Sequence, residues 1–426
     1  MDARGLEFGA MWKISEDGRI DRLVVYVTVD GQPVPVGAIT VEGKGAVRQS
    51  RFAYARSWLD GGFPISPILP LRAKATVSAP YELPLPFYDA APDGWGRSIL
   101  TAAFARQVFG MAEFLAAAGD DRTGDLRFGP APESGPMQWV PHDDPLFALP
   151  DASESLQELV EAAEAVDAGE ATVTHLRKLF RSSADTGGAR PKARLRIDGE
   201  EWIAKFRTWG DAFDDPKIET VCLDLADKCG IDVPPHRLVD VAGRSVLLVQ
   251  RFDREGDSRL GYMSAGTLVQ ASPSTYQTNV TYADVAAKAR RSGIEPCEES
   301  IFRRMLFNAF IHNTDDHLRN HGFRRIDGKW TLSPAFDLVP CNRPSHALAP
   351  ARGVAAIPDP VAMLDTSGAF GLDRGKAVEI YSDLVEGLAS LPELLDRHEV
   401  SAKDRGTVAG LMPLAFNPPG IKTPAP

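Results

Sequence analysis

This chain contains a strongly amphipathic segment that ends abruptly in a cluster of polar residues. In residues 297–311, CEESIFRRMLFNAFI, the apolar side chains recur at the spacing of one helix face: Ile301, Met305, Leu306, Ala309 and Phe310. The segment HNTDDHLRNHGF follows directly, with three histidines, two aspartates and two asparagines. A helix with such a face needs a large core to bury it, and side chains at its end are then rigidly held. The pattern therefore predicts a helix that delivers polar side chains to a fixed site.

Three residues in and after this cluster carry the oxygen atoms that phosphoryl transfer requires. Asp315 and Asn320 lie five positions apart, and Asp337 follows in SPAFDLVP after a predicted β-hairpin at 322–332. Phosphoryl transfer needs one carboxylate to orient the attacking hydroxyl and oxygen ligands to hold Mg²⁺ against the phosphates. These three residues would supply those parts.

A second candidate region is the glycine-rich stretch SSADTGGARPKARLRIDGEEWIAKF, residues 182–206. It predicts a flexible loop that leads into a β-hairpin with Asp-Gly at its turn. Gly187 and Gly188 let backbone N–H groups approach an anion closely, and Lys205 on the second strand could reach phosphates held there. The alternative is a mobile surface loop beside an ordinary hairpin lysine, because a glycine pair alone is weak evidence of binding.

Two other interpretations of the polar cluster stay open on the residues alone. The triplet DDH, with His321 and Asp337 nearby, could form a Zn, Mn or Fe site of a metal-dependent phosphohydrolase. That interpretation leaves the glycine loop and Lys205 unexplained. The other is a polar helix end whose histidines serve only the local structure. Consecutive polar candidates together with a spaced aspartate favour a functional site over this second alternative.

Composition and charge restrict the class of protein. With 426 residues the chain exceeds the usual single core, so two or three domains are expected. A hydrophobic fraction of 44% is typical of globular proteins, and no run approaches the roughly 18 apolar residues of a membrane helix. The first residues, MDARGLEFGA, show no basic-then-apolar signal region, so we expect a cytoplasmic protein without membrane contact. A net charge of -11 repels phosphate backbones, which favours a basic protein partner over unaided DNA binding.

In their order along the chain, these segments resemble the HipA-type serine/threonine kinases, the toxin components of bacterial type II toxin–antitoxin systems. The matching segments span residues 65–340 and include LPLPFYDAAPDGWGRSIL, SSADTGGARPKARL, WIAKF, LLVQRFDR, GYMSAGTL, NTDDHLRNHGF and SPAFDLVP. No single segment is decisive, but the ordered set is specific. The resemblance implies an α+β, bilobal protein-kinase-like fold with a β-rich N-terminal subdomain and a mostly helical C-terminal lobe.

The resemblance also implies a role for each candidate residue. Asp315 would be the catalytic base, and Asn320 and Asp337 would be the Mg²⁺ ligands. The Gly187-Gly188-Ala189 segment would be the phosphate loop of an ATP site, and Lys205 would contact the phosphates. These roles agree with the chemistry read from the residues themselves.

Adenine would rest against the LVQRF segment, through backbone groups near Gln250 and the ring of Phe252. The family usually has an acid where this chain has Gln250, and we expect the change to be tolerated because hinge recognition is largely through the backbone. The family's phosphate loop also carries a serine that the kinase phosphorylates in itself, which ejects the loop. Ser182 and Ser183 are the candidates here, although Asp185 occupies part of that segment.

By the same resemblance, the chain would pair with a HipB-like helix-turn-helix antitoxin and reach DNA only through it. Its substrate would be a protein, such as an aminoacyl-tRNA synthetase or another translation component, and DGWGR would belong to the module associated with antitoxin contacts. The expected division is 1–130 for the N-terminal HipA-like subdomain, 131–260 for the ATP-binding lobe and 261–426 for the helical lobe. A small-molecule kinase and a non-catalytic scaffold remain as alternatives.

Overall fold

The structure is a computed structural model that describes Trp12 and residues 18–44, 47–78, 80–104, 109–139, 154–188, 190–273 and 279–421. The chain forms two compact units. The first comprises Met1–Trp209 and Asp253–Met263, and the second comprises Gly210–Phe252 and Ser264–Pro426. Among the described residues, no helix is both long and apolar enough to cross a membrane.

The first unit begins with an antiparallel five-stranded sheet in the order β4-β3-β2-β1-β5. Its strands are β1 (Arg22–Val29), β2 (Gln32–Lys44), β3 (Val47–Tyr54), β4 (Thr76–Val77) and β5 (Arg127–Gly129). Strand β1, RLVVYVTV, has the β-branched composition that favours strands. Five consecutive residues of β1, from Leu23 to Val27, are at most 1% exposed, because the strand lies between β2 and β5 and is covered on both faces. This strand is the most deeply buried of the sheet.

Helices cover the rest of this unit up to the glycine-rich stretch. They are α1 (Arg56–Leu59), α2 (Pro86–Asp89), α3 (Gly94–Ala103), α4 (Met111–Ala117), α5 (Leu156–Asp167) and α6 (Val173–Ser183). The side chain of Asp93 accepts a hydrogen bond from the backbone N–H of Gly94 and caps α3. Helix α6 packs against α3 and α5, and its last turn leads into the glycine loop. The loop is thus preceded by a helix that is itself held by the N-terminal elements.

Two-residue turns set the register of the hairpins that follow. The first hairpin consists of β6 (Lys192–Ile197) and β7 (Glu200–Phe206), with the turn Asp198-Gly199. Both turn residues have positive φ, 52° and 87°, the type I′ conformation that matches the twist of the strands. The register this turn imposes pairs Ile197 with Glu200 and Lys192 with Lys205.

The second unit opens with helix α7 (Asp215–Lys228), which precedes the hairpin of β8 (His236–Val241) and β9 (Arg244–Gln250). The carboxylate of Asp214 caps α7 by accepting from the N–H of Lys217 at 3.2 Å. Its other oxygen accepts from the hydroxyl of Ser245 at 2.6 Å, which ties the start of α7 to β9.

The chain then passes through short strands into a mostly helical region. The strands are β10 (Arg254–Glu255), β11 (Ser258–Arg259), β12 (Gly261–Ser264), β13 (Gly322–Ile326) and β14 (Lys329–Leu332). The α-helices are α8 (Ala265–Leu268), α9 (Tyr282–Arg291), α10 (Glu298–Phe310), α11 (Pro360–Met363), α12 (Arg374–Leu388), α13 (Leu391–Arg397), α14 (Ala402–Leu411) and α15 (Pro413–Phe416). Two 3₁₀ helices, Leu318–Asn320 and Leu364–Phe370, complete the regular structure of the described region.

One polar cluster ties three parts of the second unit together. Asp224 on α7 lies 3.0 Å from Nε2 of His236, at the start of β8, and 2.6 Å from Nε2 of His398, which follows α13. Burial acts to raise the pKa of Asp224, but the hydrogen bonds from the two histidines outweigh it and the pKa is lowered. For His236, burial acts to lower the pKa, and the carboxylate of Asp224 more than offsets it, so that the pKa is raised.

Candidate active site

Helix α10 carries the polar cluster at the end of a buried segment, as the sequence predicts. Its apolar face is part of the core, with Met305, Leu306 and Phe310 fully buried. The helix is followed by His312, whose φ of 52° is uncommon for a residue other than glycine. This left-handed residue turns the chain sharply, so that the following residues pass alongside the end of α10, where the N–H of Asn313 donates to the carbonyl of Asn308 at 2.8 Å.

Asp315 and Asn320 are joined through the 3₁₀ helix that follows. The side-chain N–H of Asn320 donates to the backbone carbonyl of Asp315 at 3.0 Å. That bond occupies the nitrogen end of the amide, which leaves the oxygen end as the atom suited to a metal. The Asp315 carboxylate is 44% exposed and lies 2.5 Å from the guanidinium of Arg343. The sequence did not predict Arg343 as part of the site.

Asp337 also lies in this part of the second unit, and its backbone is unusual. Its φ is 54°, and its carbonyl accepts from the side chain of Asn313 at 3.2 Å. Residues held in this region cost free energy, and they cluster at functional sites. The preceding residue, Phe336, stacks on Phe252 with ring centres 5.5 Å apart. The ring predicted to contact adenine is thus packed beside the residue that leads into Asp337.

His317 lies within electrostatic range of both carboxylates. Burial lowers the pKa of its imidazole, and the charges of Asp315 and Asp337 offset this only in part. The backbone N–H of His317 donates to the carbonyl of Asp315 at 2.9 Å. The imidazole is therefore a neutral group at pH 7 beside the two acids.

The residue after Asp315 belongs to a buried hydrogen-bonded group of side chains that we name the Asp316 cluster: Asp316, Tyr282, His346 and Asn308. The Asp316 side chain is fully buried; it accepts from the hydroxyl of Tyr282 and lies 2.8 Å from Nδ1 of His346. Asn308 donates to the same tyrosine oxygen at 3.0 Å and accepts from Asn313 at 3.2 Å. The Asp316 cluster therefore connects helices α9 and α10 with the segment after Asp337.

The pKa shifts of Asp316 and His321 agree with this arrangement. Burial acts to raise the pKa of Asp316, but the hydrogen bond and charge of His346 and the hydroxyl of Tyr282 outweigh it, and the pKa is lowered. Burial lowers the pKa of His321 to about 4, so His321 is neutral. Its ring meets Tyr282 edge to face at 5.2 Å. Two of the groups invoked for the phosphohydrolase interpretation, Asp316 and His321, are thus committed to internal contacts.

The glycine loop and its hairpin lie in the first unit. Gly188 has a φ of 78°, a conformation that side chains disfavour, while Gly187 is exposed with open space around its α-carbon. Ala189 lies outside the described residues. Lys205 pairs directly with Lys192 across the β6–β7 hairpin, so the two side chains share one face of the hairpin.

Lys192 is a residue that the sequence analysis missed. It is 8% exposed, and its ammonium nitrogen lies 2.4 Å from the point where a β-carbon on Gly188 would stand. The Asp-Gly turn, which fixes the register of the hairpin, was the sequence signal that could have placed Lys192 opposite Lys205.

The two candidate serines are buried at the end of α6. The hydroxyl of Ser183 donates to the carbonyl of Lys192 at 2.7 Å, and that of Ser182 donates to the carbonyl of Lys178 at 3.0 Å. Ser183 is wholly buried and Ser182 is 9% exposed. Modification of either serine would require the last turn of α6 to open.

Two family models match the chain. The model of the HipA N-terminal domain matches residues 26–129, and that of the HipA-like C-terminal domain matches residues 184–391. None of the curated proteins compared with the chain matches it significantly. The predicted division at residues 130 and 260 stays a prediction.

The solved structures that are similar to the chain include the following two. HipA of Shewanella oneidensis MR-1, from a complex with HipB and operator DNA, has a TM-score of 0.66 at 18% identity, over 92% of this chain and 96% of that one. A Helicobacter pylori proinflammatory kinase, CtkA, has a TM-score of 0.42 at 14% identity, over 54% of this chain and 90% of that one, too low to support a conclusion. The likeness to the Shewanella protein shows the fold, and the predicted α+β fold class is confirmed.

Proposed function

The chain belongs to the HipA family, and from this premise we propose that it is an ATP- and Mg²⁺-dependent serine/threonine protein kinase, the toxin of a toxin–antitoxin pair. The observation that carries the proposal is the grouping of Asp315, Asn320 and Asp337 around the end of α10. The first two are linked by a hydrogen bond, and both acids act on the charge state of His317. One exposed carboxylate with two neighbouring oxygen ligands is the minimum that phosphoryl transfer requires.

In this mechanism Asp315 orients the acceptor hydroxyl and takes its proton as the oxygen attacks the γ-phosphorus of ATP. The bond from that phosphorus to the β–γ bridging oxygen breaks, and ADP leaves. The partial exposure of Asp315 allows a substrate to approach it, while the hydrogen bond from Asn320 and the contact with Arg343 fix its position. The next residue, Asp316, is fully buried within the Asp316 cluster. A rigid support of this kind holds the carboxylate in the geometry for attack, which is the main contribution a kinase makes.

The donor atoms suit Mg²⁺. This hard cation prefers oxygen ligands and is commonly held by one or two protein groups together with substrate phosphates and water. The carboxylate of Asp337 and the amide oxygen of Asn320 would hold it, and it would neutralise charge that develops on the phosphates. Asn313 fixes the backbone of Asp337 by donating a hydrogen bond to its carbonyl.

Gly187 and Gly188 would hold the ATP phosphates through their backbone N–H groups, with Lys205 and Lys192 contributing charge. Support comes from the left-handed Gly188 and from the two lysines on one face of the hairpin. Ala189 is retained in the loop as a prediction from the family motif.

Adenine would rest on the ring of Phe252, which is already stacked on Phe336. The N–H of Gln250 donates to the carbonyl of Pro235 at 2.8 Å. Hydrogen bonds from the hinge to adenine would therefore come from backbone groups of the residues next to Gln250. This is consistent with a hinge in which the side chain at Gln250 matters little.

An antitoxin partner, a protein substrate and self-phosphorylation complete the proposal. The Shewanella HipA was solved with HipB and operator DNA, which supports a HipB-like helix-turn-helix antitoxin for this chain, with DNA reached only through it. The substrate would be a translation component such as an aminoacyl-tRNA synthetase. Phosphorylation of Ser182 or Ser183 in the chain itself would need the last turn of α6 to unwind, so we expect it to be slow.

Phosphate transfer from γ-labelled ATP with Mg²⁺ tests the proposal, with products read as phosphosites by mass spectrometry in the purified chain and in a cell lysate. Asp315→Asn should lower transfer by roughly 10²- to 10⁴-fold, the usual contribution of a general base. Asp365→Asn is the matched control, because Asp365 is also an exposed aspartate of the second unit paired with an arginine, Arg374, at 2.7 Å. Equal loss in both variants would count against a catalytic role for Asp315.

The same assay separates the alternatives. Label found on a metabolite and on no protein would identify a small-molecule kinase. Release of free phosphate that persists in Lys205→Ala would favour the phosphohydrolase. Binding of an antitoxin without any transfer, unaffected by Asp315→Asn, would favour a non-catalytic scaffold. The internal contacts of Asp316 and His321 count against the phosphohydrolase.

A further inference from the structure

We propose that Trp95 and Gly96, in the first turn of α3, are positioning residues for the glycine loop. They belong to the HipA N-terminal domain, and we name the segment from Asp93 to Gly96 the clasp. The family resemblance associates this segment with antitoxin contacts. In the structure it also holds the loop predicted to bind phosphate, in the same compact unit. The link to ATP rests on the proposed function, whereas the clasp itself does not.

Hydrogen bonds join the clasp to both ends of the loop. The backbone N–H of Trp95 donates to the carbonyl of Gly188 at 2.8 Å, and that of Asp93 donates more weakly to Thr186 at 3.4 Å. The indole N–H of Trp95 donates to the carbonyl of Lys192 at 3.0 Å. The first N–H groups of a helix have no partner within the helix, and here two of those around the start of α3 are satisfied by the loop.

A close approach of the two backbones accounts for glycine at position 96. A β-carbon there would lie 2.6 Å from the carbonyl oxygen of Thr186 and 3.0 Å from that of Ala184. Both distances are below ordinary van der Waals contact, and the obstructing atoms are backbone atoms. Glycine inside a helix costs about 1 kcal/mol relative to alanine. Its presence here is explained by the need to bring α3 against the loop.

An ion-pair chain fastens the loop a second time. Asp185 is 3% exposed, and its carboxylate lies 2.7 Å from Nε of Arg194 on β6. Arg194 also contacts Asp121, another residue of the N-terminal domain, and donates to the carbonyl of Arg181 at 3.0 Å. The loop is therefore attached to the N-terminal domain through backbone hydrogen bonds, the indole N–H of Trp95 and the ion pairs of Arg194.

The clasp and Ser183 share one acceptor. The carbonyl of Lys192 accepts from the hydroxyl of Ser183 as well as from the indole of Trp95. Lys192 is also the lysine whose ammonium lies beside Gly188. Displacement of Trp95 would thus loosen the serine, the loop and the buried lysine together, which makes the N-terminal domain part of the phosphate site.

Two pairs of variants of the full-length chain test the clasp. Trp95→Phe keeps the ring and removes the indole N–H; its control is Trp58→Phe, because Trp58 is a similarly buried tryptophan of the same unit whose indole donates to the carbonyl of Phe63 at 2.9 Å. Gly96→Ala is matched by Gly37→Ala, where a β-carbon would lie 2.4 Å from the carbonyl oxygen of Ala53. Each control removes or strains the same kind of contact away from the loop.

The readout is amide hydrogen exchange of residues 182–188, followed by mass spectrometry, together with KM and kcat for ATP. We expect Trp95→Phe to accelerate exchange of this segment by roughly 2- to 10-fold, the effect of losing one hydrogen bond. We expect KM for ATP to rise by a similar factor while kcat changes little, and Gly96→Ala to act in the same direction. The two controls should leave loop exchange and KM unchanged.

Unchanged loop exchange in both Trp95→Phe and Gly96→Ala would overturn the clasp. So would equal acceleration in Trp58→Phe, since the effect would then be general loss of stability. Faster exchange with an unaltered KM would show that the clasp does not position the loop for ATP. If the wild type does not use ATP at all, the proposed function fails, and the exchange comparison still decides whether the clasp exists.

Discussion

Replacing Asp316 by asparagine should destabilise the second unit severely, although the side chain keeps its shape. Asp316 is fully buried, and it is the acceptor for the Tyr282 hydroxyl and, through its other oxygen, for the N–H of Ala347 at 2.8 Å. It also lies 2.8 Å from Nδ1 of His346, whose side chain is 0% exposed. The amide of asparagine carries no charge and presents a donor where one of these contacts needs an acceptor.

The size of the loss follows from these contacts. A buried donor left without its acceptor typically costs about 1–3 kcal/mol, and Asp316 accepts from both the Tyr282 hydroxyl and the N–H of Ala347. A typical folding free energy is roughly 5–15 kcal/mol, so the variant should remain folded but lose a large part of its stability. Asp365→Asn, an exposed aspartate in an ion pair, should change it very little.

Urea unfolding at several pH values measures this loss, with His346→Gln and the double variant completing a mutant cycle. The pKa of Asp316 is lowered by folding, so its contribution is present above the unfolded value of about 4 and disappears as pH falls through the folded value. The gap between wild type and Asp316→Asn should therefore be constant from pH 5 to 7 and narrow in more acidic solution. The coupling between the two sites should exceed about 0.5 kcal/mol because the residues are in contact. A gap below about 1 kcal/mol at pH 7, or additive single variants, would refute the reasoning.

Three further outcomes are expected. Lys192→Met should raise KM for ATP by roughly tenfold or more, since a charge-assisted contact is worth about 1.5–3 kcal/mol, whereas Lys329→Met, at a lysine 72% exposed, should not. Arg343→Gln should lower kcat by up to about fivefold through a less fixed Asp315, and an unchanged kcat would show that their contact is incidental. Asp224→Asn should lower the melting temperature most between about pH 4 and 6.5. Because folding lowers the pKa of Asp224, the stability that its carboxylate contributes is lost in more acidic solution. Because folding raises the pKa of His236, the stability that its imidazolium contributes is lost as pH rises above that range. A melting-temperature difference that is the same from pH 3 to 9 would contradict the last prediction.

Much of the local structure follows from the sequence because its causes are local. The segment Arg22–Val29 forms the strand that its β-branched composition favours. The two-residue turns Asp30-Gly31, Asp198-Gly199 and Ala242-Gly243 all have positive φ at both residues. The helix predicted for residues 297–311 is observed as Glu298–Phe310, flanked by its two caps. Periodicity and turn chemistry act over a few residues, so they can be recognised without knowledge of the fold.

Strand register is partly predictable from the sequence. Once a two-residue turn at Asp198-Gly199 is accepted, counting outward pairs Lys192 with Lys205, so the second lysine was in principle predictable. Its burial beside Gly188 was not, because that depends on how the loop folds back on its own strand. The roles of Asp315, Asn320 and Asp337 remain predictions, although they do come together at the end of one helix.

The sequence by itself determined the elements, their turns and the candidate residues, together with the family to which their order points. Only the tertiary structure decided which of those residues are buried supports and which are exposed: adjacent Asp315 and Asp316 differ in this way, 44% against 0% exposed in their side chains. It also decided that Trp95 meets a loop more than 90 positions further along the chain. Such contacts arise from the packing of helices and hairpins in a shared core, and no pattern of neighbouring residues encodes them.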